Sequence, residues 1–340
     1  MKNYTFTSLT RIADFQEDNI RILAHKPNEW KNGDYVAAEV IEAKSELARI
    51  ELVNGRMTSV MPGDILVGAL GVRHATLEAT GSWKEVKDDG FMEVLTGAGL
   101  FGKLTSKSTF LPDVIKLDYL GHIYEGSEKA SMKKYVKPNP PSNFDCPVIL
   151  LVGTSMSAGK TTAARVFTRT LKNRGLKVAG AKFTGAGRYK DILAMKDAGA
   201  EFVVDFVDAG LPSSICSVEE FTVALELMKN KISTAKPDVA VIEIGSSPLE
   251  PYNGKTAIAA VKDQIKFSVL CASDPYSVLG IQSSFGFEPD LVTGIASNTL
   301  AGRELINNLC GLKAINILDQ NQLPKAQKML LEKIQPFVPA

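Results

Sequence analysis

One stretch of the chain decides its fold: Val148-Ile-Leu-Leu-Val-Gly-Thr-Ser-Met-Ser-Ala-Gly-Lys-Thr-Thr162. An apolar run typical of a buried strand leads through a loop bounded by Gly153 and Gly159 into a helix that starts at Lys160. The backbone N–H groups of such a loop, and of the helix N-terminus that follows it, can surround a phosphate group. The stretch therefore predicts a phosphate-binding loop (P-loop) for a nucleotide.

The residues of this loop form the expected nucleotide-contacting set. They are Gly153, Thr154, Ser157, Ala158, Gly159, Lys160, Thr161 and Thr162. Lys160 would place a positive charge on the phosphates, and the Thr161 hydroxyl would hold Mg²⁺. The two bounding glycines enclose five residues, one more than in the commonest loop of this kind, and Thr154 takes the usual place of the first glycine. This Gly-Thr-x-x-x-x-Gly-Lys-Thr form resembles the loop of dethiobiotin synthetase and its relatives, P-loop enzymes that mostly handle small molecules or deliver metals.

The composition is typical of a soluble enzyme. The chain has 340 residues, 45% of them hydrophobic and 23% charged, which is enough for two hydrophobic cores. A net charge of +1 gives no reason to expect nucleic acid or an anionic membrane as a partner. No apolar run approaches membrane-spanning length, and the first residues lack the apolar core of a signal peptide. The four cysteines lie far apart, which favours free thiols in a reducing cytoplasm.

A proline-rich segment divides the chain. The residues Lys133-Lys-Tyr-Val-Lys-Pro-Asn-Pro-Pro-Ser-Asn143 cannot continue a helix or a central strand, because prolines lack N–H donors and force the preceding residues into extended conformations. We predict a smaller β-rich domain over residues 1–135, a linker over 136–146 and a P-loop NTPase domain over 147–340. Strand patterns in the first of these occur at residues 35–41, 48–53 and 65–68, with Asn54-Gly55 as a turn.

The pattern after residue 147 is that of an α/β domain. Short apolar runs alternate with helical stretches, the first of which runs from Lys160 to about Asn173 and ends before Gly175. This alternation predicts a mostly parallel sheet with helices on both faces, and ligands on such sheets bind at the carboxyl ends of the strands. The expected strands are residues 148–152, 178–181, 202–206, 239–244, 267–272, 291–296 and 314–318.

Two charged residues at these strand ends are candidates for catalysis and metal binding. Glu243 ends a buried strand and is suited to hold Mg²⁺ together with Thr161, a structural acid being the alternative. Lys182 follows the second strand and would contact the terminal phosphate or an acidic substrate, unless it is a surface lysine. The relatives of dethiobiotin synthetase have a Glu and a Lys at these two places.

The segment that follows Lys182 carries candidate substrate contacts. Thr184 and Arg188 could donate hydrogen bonds to a substrate. Asp191 could orient Arg188 or cap the next helix.

Two later strand ends carry one candidate each. Asp274 precedes Pro275 and is either a substrate contact or a turn-former. Asn298 has both donors and an acceptor, which suits it to bind a purine edge, and an Asn after a late strand does so in the resembled superfamily.

The chain from Gly153 to Leu318 resembles the P-loop domain of a family that includes D-glutamate N-acetyltransferases. The likeness rests on the loop, on the Thr184-Gly185 turn, on Ala272-Ser-Asp-Pro275 and on Pro289-Asp-Leu-Val-Thr-Gly-Ile-Ala-Ser-Asn298. The N-terminal half of that family is a dinucleotide-like α/β domain, whereas residues 1–135 here are β-rich in pattern.

The N-terminal part offers one pair of candidate substrate residues. Arg73 and His74 follow glycines at the end of an apolar strand, where they could bind a carboxylate or move a proton. A structural arginine and a surface histidine are the alternative.

These features predict a ligase or kinase that uses ATP and Mg²⁺ to activate or phosphorylate a small carboxylate-bearing metabolite. Lys160, Lys182 and Glu243 are its candidate catalytic residues. A second hypothesis is an N-acyltransferase whose loop binds the phosphates of coenzyme A. A third is a regulatory or metal-delivery NTPase, although the sequence lacks paired Cys or His ligands for a metal. We expect a small-molecule substrate, further copies of the chain in a homo-oligomer, and a cytoplasmic location.

Overall fold

The computed structural model describes residues 4–45 and 49–339 and divides into two compact units. The first, called the β-rich unit, contains the described residues of Met1–Pro138 together with Ala186–Lys190 and Phe206–Ile215. The second, called the P-loop unit, contains Asn139–Gly185, Asp191–Asp205 and the described residues of Cys216–Ala340. Two short segments of the C-terminal half therefore belong to the β-rich unit.

A ring of paired strands forms the centre of the β-rich unit. Its strands are β1 (Tyr4–Phe6), β2 (Ile20–Leu23), β3 (Tyr35–Glu42), β4 (Ile50–Glu51), β5 (Met57–Thr58), β6 (Ile65–Leu70), β7 (Val72–His74), β8 (Ala79–Ser82), β9 (Phe91–Thr96), β10 (Leu100–Lys107), β11 (Lys116–Glu125) and β12 (Glu128–Lys129). β6 pairs with β3, β3 with β11, β11 with β9, β9 with β10, and β10 again with β6. Alternate residues such as Val36 and Ala38 on β3, and Leu66 and Leu70 on β6, belong to one buried cluster, as the two-residue period of a strand requires.

The structure confirms that the N-terminal part is β-rich. The strands expected at residues 35–41 and 65–68 are present as β3 and β6. In the stretch 48–53, Ile50–Glu51 forms β4 and pairs with β5, while Ala48 lies outside the described residues. Gly55 in the expected turn has a φ of +83°, a conformation that glycine adopts at no steric cost.

The P-loop unit has a six-stranded parallel sheet among its described residues. Its strands are β13 (Val148–Gly153), β14 (Val178–Thr184), β15 (Phe202–Asp205), β16 (Val239–Ile244), β17 (Ile265–Cys271) and β18 (Leu291–Thr293), and their order across the sheet is β15-β14-β16-β13-β17-β18. β13 and β16 are buried throughout, as expected for central strands covered on both faces. The α/β fold class is confirmed.

The helices of the chain follow the strands of this sheet. They are α1 (Lys160–Lys172), α2 (Tyr189–Asp197), α3 (Val218–Ala235), α4 (Gly254–Ala259), α5 (Pro275–Phe285), α6 (Leu300–Cys310) and α7 (Leu323–Ile334). Gly175, expected just beyond the first helix, has a φ of +81°. None of the helices in the described parts of the chain combines the length and apolar composition needed to cross a membrane.

The prediction of a strand at residues 314–318 is wrong. The described chain there makes a single parallel bridge between Ala314 and Val292. Side chains take the backbone donors that a strand would need: Asn316 N donates to Gln322 Oε1 at 3.2 Å, and Leu318 N donates to Asn316 Oδ1 at 3.0 Å. Such local hydrogen bonds compete with strand pairing.

The strand expected at residues 291–296 is shorter than its apolar pattern suggests. β18 ends at Thr293, because Gly294, with a φ of +91°, turns the chain into a short 3₁₀ helix at Ile295–Ser297. This turn places the following loop near the P-loop, as described below.

Candidate nucleotide-binding site

The P-loop has the backbone conformation of an anion-binding loop. β13 ends at Gly153 and α1 starts at Lys160, with Ser157 and Gly159 at φ values of +61° and +102°. Gly159 is the N-cap of α1, and no side chain caps the helix there. The first N–H groups of α1 therefore lack the usual side-chain acceptor, which suits them to bind an anion.

Lys160 lies inside the loop and is 5% exposed. Its Nζ donates a hydrogen bond to the carbonyl of Ser155 at 2.6 Å. A Cβ on Gly153 would lie 2.5 Å from this Nζ, so glycine leaves the room in which the lysine folds back over the end of β13. Burial lowers the pKa of Lys160, against the opposing effect of Glu243. A phosphate group would stabilise the charged ammonium that burial disfavours.

The Thr161 hydroxyl lies between two carboxylates. Its Oγ1 is 3.4 Å from Glu243 Oε2 and 3.5 Å from Asp191 Oδ1. Glu243 is almost fully buried on β16, in register with Leu151 of the neighbouring β13. Burial and the adjacent Asp191 raise the pKa of Glu243. A hydroxyl and two carboxylates are oxygen ligands of the kind that Mg²⁺ prefers.

Lys182 is a buried lysine and not a surface one. It is 5% exposed, and its Nζ donates to Asp191 Oδ2 at 2.6 Å. On the sheet it stands in register between Asp205 of β15 and Glu243 of β16. Burial lowers the pKa of Lys182, but the carboxylates of Asp191 and Glu243 outweigh it and the net shift is upward. Lys182 is therefore held as a cation among acids.

Asp191 is a site residue whose contacts the sequence pattern did not reveal. Its carboxylate contacts Lys182 and the Thr161 hydroxyl, a different environment from the expected role of orienting Arg188 or capping the helix. It is the third residue of α2, so it does not occupy the N-cap position. Its place in the first turn of the helix that follows the second strand of the sheet was the sequence signal that could have indicated these contacts.

The loops after β14 and β16 are tied to each other. Thr184 is fully buried, and its hydroxyl donates to the carbonyl of Gly245 at 3.0 Å. A Cβ on Gly245 would lie 2.1 Å from the carbonyl oxygen of Thr184, so the close approach requires glycine. This contact gives the hydroxyl of Thr184, expected to bind substrate, a structural partner.

Two other candidates also have structural partners. The Thr154 hydroxyl accepts a hydrogen bond from the backbone N–H of Ser273 at 3.1 Å, which fastens the P-loop to the end of β17. Asp274 is the N-cap of α5 and accepts from the backbone N–H of Ser277 at 2.9 Å, which fits the turn-forming alternative.

The remaining loop residues and Asn298 differ in their exposure to solvent. Ala158 is buried, while Ser157 and Thr162 are exposed. Asn298 is exposed after the Ile295–Ser297 turn, and its side chain has no hydrogen bond to any described residue. Gly294, at the start of that turn, lies so close to the P-loop that a Cβ on it would be 2.4 Å from the carbonyl oxygen of Ala158.

The other three candidates belong to the β-rich unit. The Arg73 guanidinium forms an ion pair with Glu78 and donates to the carbonyl of Leu95 at 2.6 Å, so it has structural partners. His74 is an exposed residue at the end of β7. Arg188 packs beside Gly97, where a Cβ would lie 2.4 Å from its guanidinium.

The strand, the loop, the uncapped helix and the acid on the adjacent strand define a P-loop NTPase domain, a class of domain whose loop is suited to bind the phosphates of a nucleotide. The donor set also suits Mg²⁺, which usually takes one or two protein carboxylates together with substrate phosphates and waters. Within the described ranges, no group of three or more His, Cys, Asp or Glu side chains is arranged to hold a metal ion by itself.

A family model agrees with the P-loop assignment. The family model described as "Domain of unknown function (DUF1611_C) P-loop domain" matches residues 122–209, which is less than half of the chain. No curated protein sequence matches the chain significantly.

Several solved structures are similar to part of the chain. A DUF1611 family protein from Anabaena variabilis has 16% identity and a TM-score of 0.37, over 59% of this chain and 63% of that one. HypB from Helicobacter pylori in complex with nickel has 16% identity and a TM-score of 0.39, over 58% and 91%. Chloroplast FtsY from Physcomitrella patens has 13% identity and a TM-score of 0.37, over 52% and 59%. The chain thus spans less than two thirds of the first and third of these proteins, and likenesses this weak carry no functional information.

Proposed function

We propose that the protein is an enzyme that uses ATP and Mg²⁺ to activate or phosphorylate a small carboxylate-bearing metabolite. The observation that carries this proposal is the position of the Thr161 hydroxyl between Glu243 and Asp191, with Lys182 paired to Asp191. Two cations and two acids thus meet beside an uncapped helix N-terminus. Phosphoryl transfer depends on such charged groups for positioning and electrostatic stabilisation.

Each residue of the site has a place in this proposal. The loop N–H groups and Lys160 would bind the β- and γ-phosphates, and Thr161, Glu243 and Asp191 would hold Mg²⁺. When bound, the metal neutralises charge on the phosphate oxygens. Lys182, released from Asp191, would stabilise negative charge on the group being transferred.

The chemistry of the P-loop unit favours a carboxylate as the second substrate. The three histidines of the chain, His25, His74 and His122, all belong to the β-rich unit. The two site acids are engaged with Thr161 and Lys182, so neither is left as a general base. A carboxylate is already ionised at neutral pH and needs no base to become a nucleophile.

A product assay tests this function directly. The full chain would be incubated with ATP, Mg²⁺ and a panel of small carboxylic acids, and ADP and hydroxylamine-trapped acyl phosphate would be measured. We expect ADP formation that depends on one class of carboxylate, and its loss in Lys182→Ala. Lys177→Ala, an exposed lysine just before β14, is the matched control and should keep activity.

Two other outcomes would replace the proposal. Acylation of an amine from acetyl-coenzyme A without ATP consumption would identify an acyltransferase. ATP hydrolysis that no metabolite changes, but that a protein partner accelerates, would identify a regulatory NTPase.

A further inference from the structure

The N-terminus of α2 lacks a capping residue of its own. The helix runs from Tyr189 to Asp197, so Arg188 stands at the N-cap position, where Ser, Thr, Asp or Asn usually accepts hydrogen bonds from the first turn. A guanidinium has donors but no acceptor, so Arg188 cannot do this. The first N–H groups of α2 therefore need an acceptor from elsewhere in the chain.

Glu51 supplies that acceptor with both of its carboxylate oxygens. Oε2 accepts from the backbone N–H of Tyr189 at 2.8 Å, and Oε1 accepts from that of Lys190 at 2.9 Å. Glu51 lies on β4, is fully buried, and also accepts from the Ser8 hydroxyl at 2.5 Å. All four residues belong to the β-rich unit. Hydrogen bonds to a carboxylate are about twice as strong as neutral ones, and a negative charge is favourable at a helix N-terminus.

Neighbouring contacts hold the same segment in place. The Thr96 hydroxyl donates to the carbonyl of Gly187 at 3.2 Å. The Arg11 guanidinium lies 4.4 Å from the ring centre of Tyr189 and 3.2 Å from a carboxylate oxygen of Asp208. The start of α2 is thus fixed on several sides within its own unit.

We propose that Glu51 is a positioning residue for the Mg²⁺ site and acts through Asp191. Asp191 directly follows Lys190 in the first turn of α2, so hydrogen bonds that fix the backbone of Tyr189 and Lys190 also fix the position from which the Asp191 carboxylate contacts Lys182 and Thr161. The inference rests on the proposed function, because it assumes that Asp191 takes part in holding Mg²⁺. Residues that orient a metal ligand typically change metal affinity or activity by 10- to 100-fold when they are replaced.

The test is a titration of ATP into the full chain with and without Mg²⁺, which gives the gain in ATP affinity that Mg²⁺ produces. Glu51→Gln keeps the shape of the side chain, but its amide nitrogen faces one of the two N–H groups. We expect its Mg²⁺-dependent gain to fall by about tenfold or more, with the Mg²⁺-free affinity unchanged within about twofold. Glu93→Gln is the matched control: Glu93 accepts from the backbone N–H of Leu104 at 2.8 Å, within the β-rich unit, and should leave the gain unaltered.

A double-mutant comparison separates positioning from general damage. Asp191→Asn should also lose the gain in ATP affinity that Mg²⁺ produces. In the double mutant Glu51→Gln, Asp191→Asn, this gain should differ from that of Asp191→Asn by less than about twofold. If Glu51→Gln does not fold, Glu51→Asp, which keeps the charge but shortens the reach, takes its place. The role of Glu51 would be overturned, and the proposed function left intact, by either of two results. The first is a folded Glu51 variant with the wild-type Mg²⁺-dependent gain in ATP affinity. The second is a double mutant in which the two single-mutant losses of that gain add. A wild-type chain without any Mg²⁺-dependent gain would overturn the proposed function, and this inference with it.

Discussion

Individual buried charges determine what the site can bind. Lys160 has a backbone carbonyl as its hydrogen-bond partner at 2.6 Å, whereas Lys182 has the carboxylate of Asp191 at the same distance. A phosphate group would therefore improve the environment of Lys160 more than that of Lys182. We therefore propose that phosphate binding belongs to Lys160, and that Lys182 stays paired with Asp191 until a metal competes for that carboxylate.

Glu243→Gln tests the metal site at this scale. The amide keeps the shape of the side chain but removes the charge that attracts Mg²⁺. Without Mg²⁺, we expect the variant to bind nucleotide with the affinity of the wild type. With Mg²⁺, it should lose most of the increase in nucleotide affinity that the wild type shows. Calorimetric titration of Mg²⁺ into the nucleotide-saturated protein measures this, and equal Mg²⁺ affinity in both proteins would make Glu243 a structural acid.

Asn298→Ala tests how the base is recognised. An amide that pairs with a purine edge discriminates between bases by roughly 1 to 3 kcal/mol, while the phosphates supply most of the binding. The variant should therefore narrow the gap between the dissociation constants for ATP and GTP with little loss of overall affinity. If the ratio of the two constants stays at its wild-type value, another residue binds the base.

At the scale of elements, the apolar patterns predicted the P-loop unit well because its central strands are buried on both faces. The strand at residues 239–244 and the helix start at Lys160 follow directly from such runs. The same reasoning failed at residues 314–318, because side-chain hydrogen bonds of Asn316 and Gln322 take the backbone donors there.

Sequence patterns did not predict the contacts between distant parts of the chain. Nothing in the pattern around Arg188 indicates that Glu51, far away in the sequence, caps α2. The pairing of Lys182 with Asp191 also depends on how the first turn of α2 is placed beside β14. The sequence patterns named residues at the strand ends, and the structure shows which side chains those residues contact.

Gly294→Ala tests whether the loop after β18 supports the P-loop. The new Cβ would lie 2.4 Å from the carbonyl oxygen of Ala158, and the φ of +91° is strained for any residue but glycine. We expect a loss of stability of about 1 to 3 kcal/mol together with weaker nucleotide binding. Gly280→Ala on α5 is the control, since nothing lies within 4 Å of a Cβ there, and helix propensity favours alanine. Unchanged stability and affinity in Gly294→Ala would show that the two loops are independent.

At the scale of the whole molecule, the chain order and the compact units do not coincide. Ala186–Lys190 and Phe206–Ile215 belong to the β-rich unit although they lie within the C-terminal half. Phe206 and Val207 are fully buried. A single cut in the proline-rich segment would remove most of the unit to which these residues belong, so functional experiments need the full chain.

The β-rich unit should be less stable in acid. Burial lowers the pKa of His122 and outweighs the raising effect of Asp34, whose Oδ2 lies 3.3 Å from His122 Nε2. Burial raises the pKa of Asp34, but His122 and Lys129, whose Nζ is 2.7 Å away, outweigh it and the net shift is downward. For both groups the unfolded state binds protons at a higher pH than the folded state. Stability is therefore lost as the pH falls below about 6.5 for His122, and further below about 3.9 for Asp34.

Urea unfolding followed by tryptophan fluorescence measures this loss, because Trp30 and Trp83 both belong to the β-rich unit. His122→Asn should flatten the dependence of unfolding free energy on pH just below about 6.5, whatever its effect on stability at neutral pH. An unchanged slope in the variant would assign the acid sensitivity to other groups.

The most direct test of the phosphate site is calorimetric titration of ATP and GTP into the 340-residue chain and into Lys160→Ala, each with and without Mg²⁺. Lys172→Ala, a change to a lysine on the surface of the same helix, is the control. We predict that the wild type binds a nucleoside triphosphate more tightly with Mg²⁺. Lys160→Ala should remain folded but lose about 1.5 to 3 kcal/mol of binding free energy, the worth of a hydrogen bond to a charged group, and Lys172→Ala should match the wild type. Equal affinity in Lys160→Ala and the wild type, or no nucleotide binding by the folded wild type, would contradict the assignment of the loop from Gly153 to Thr162 as the phosphate site.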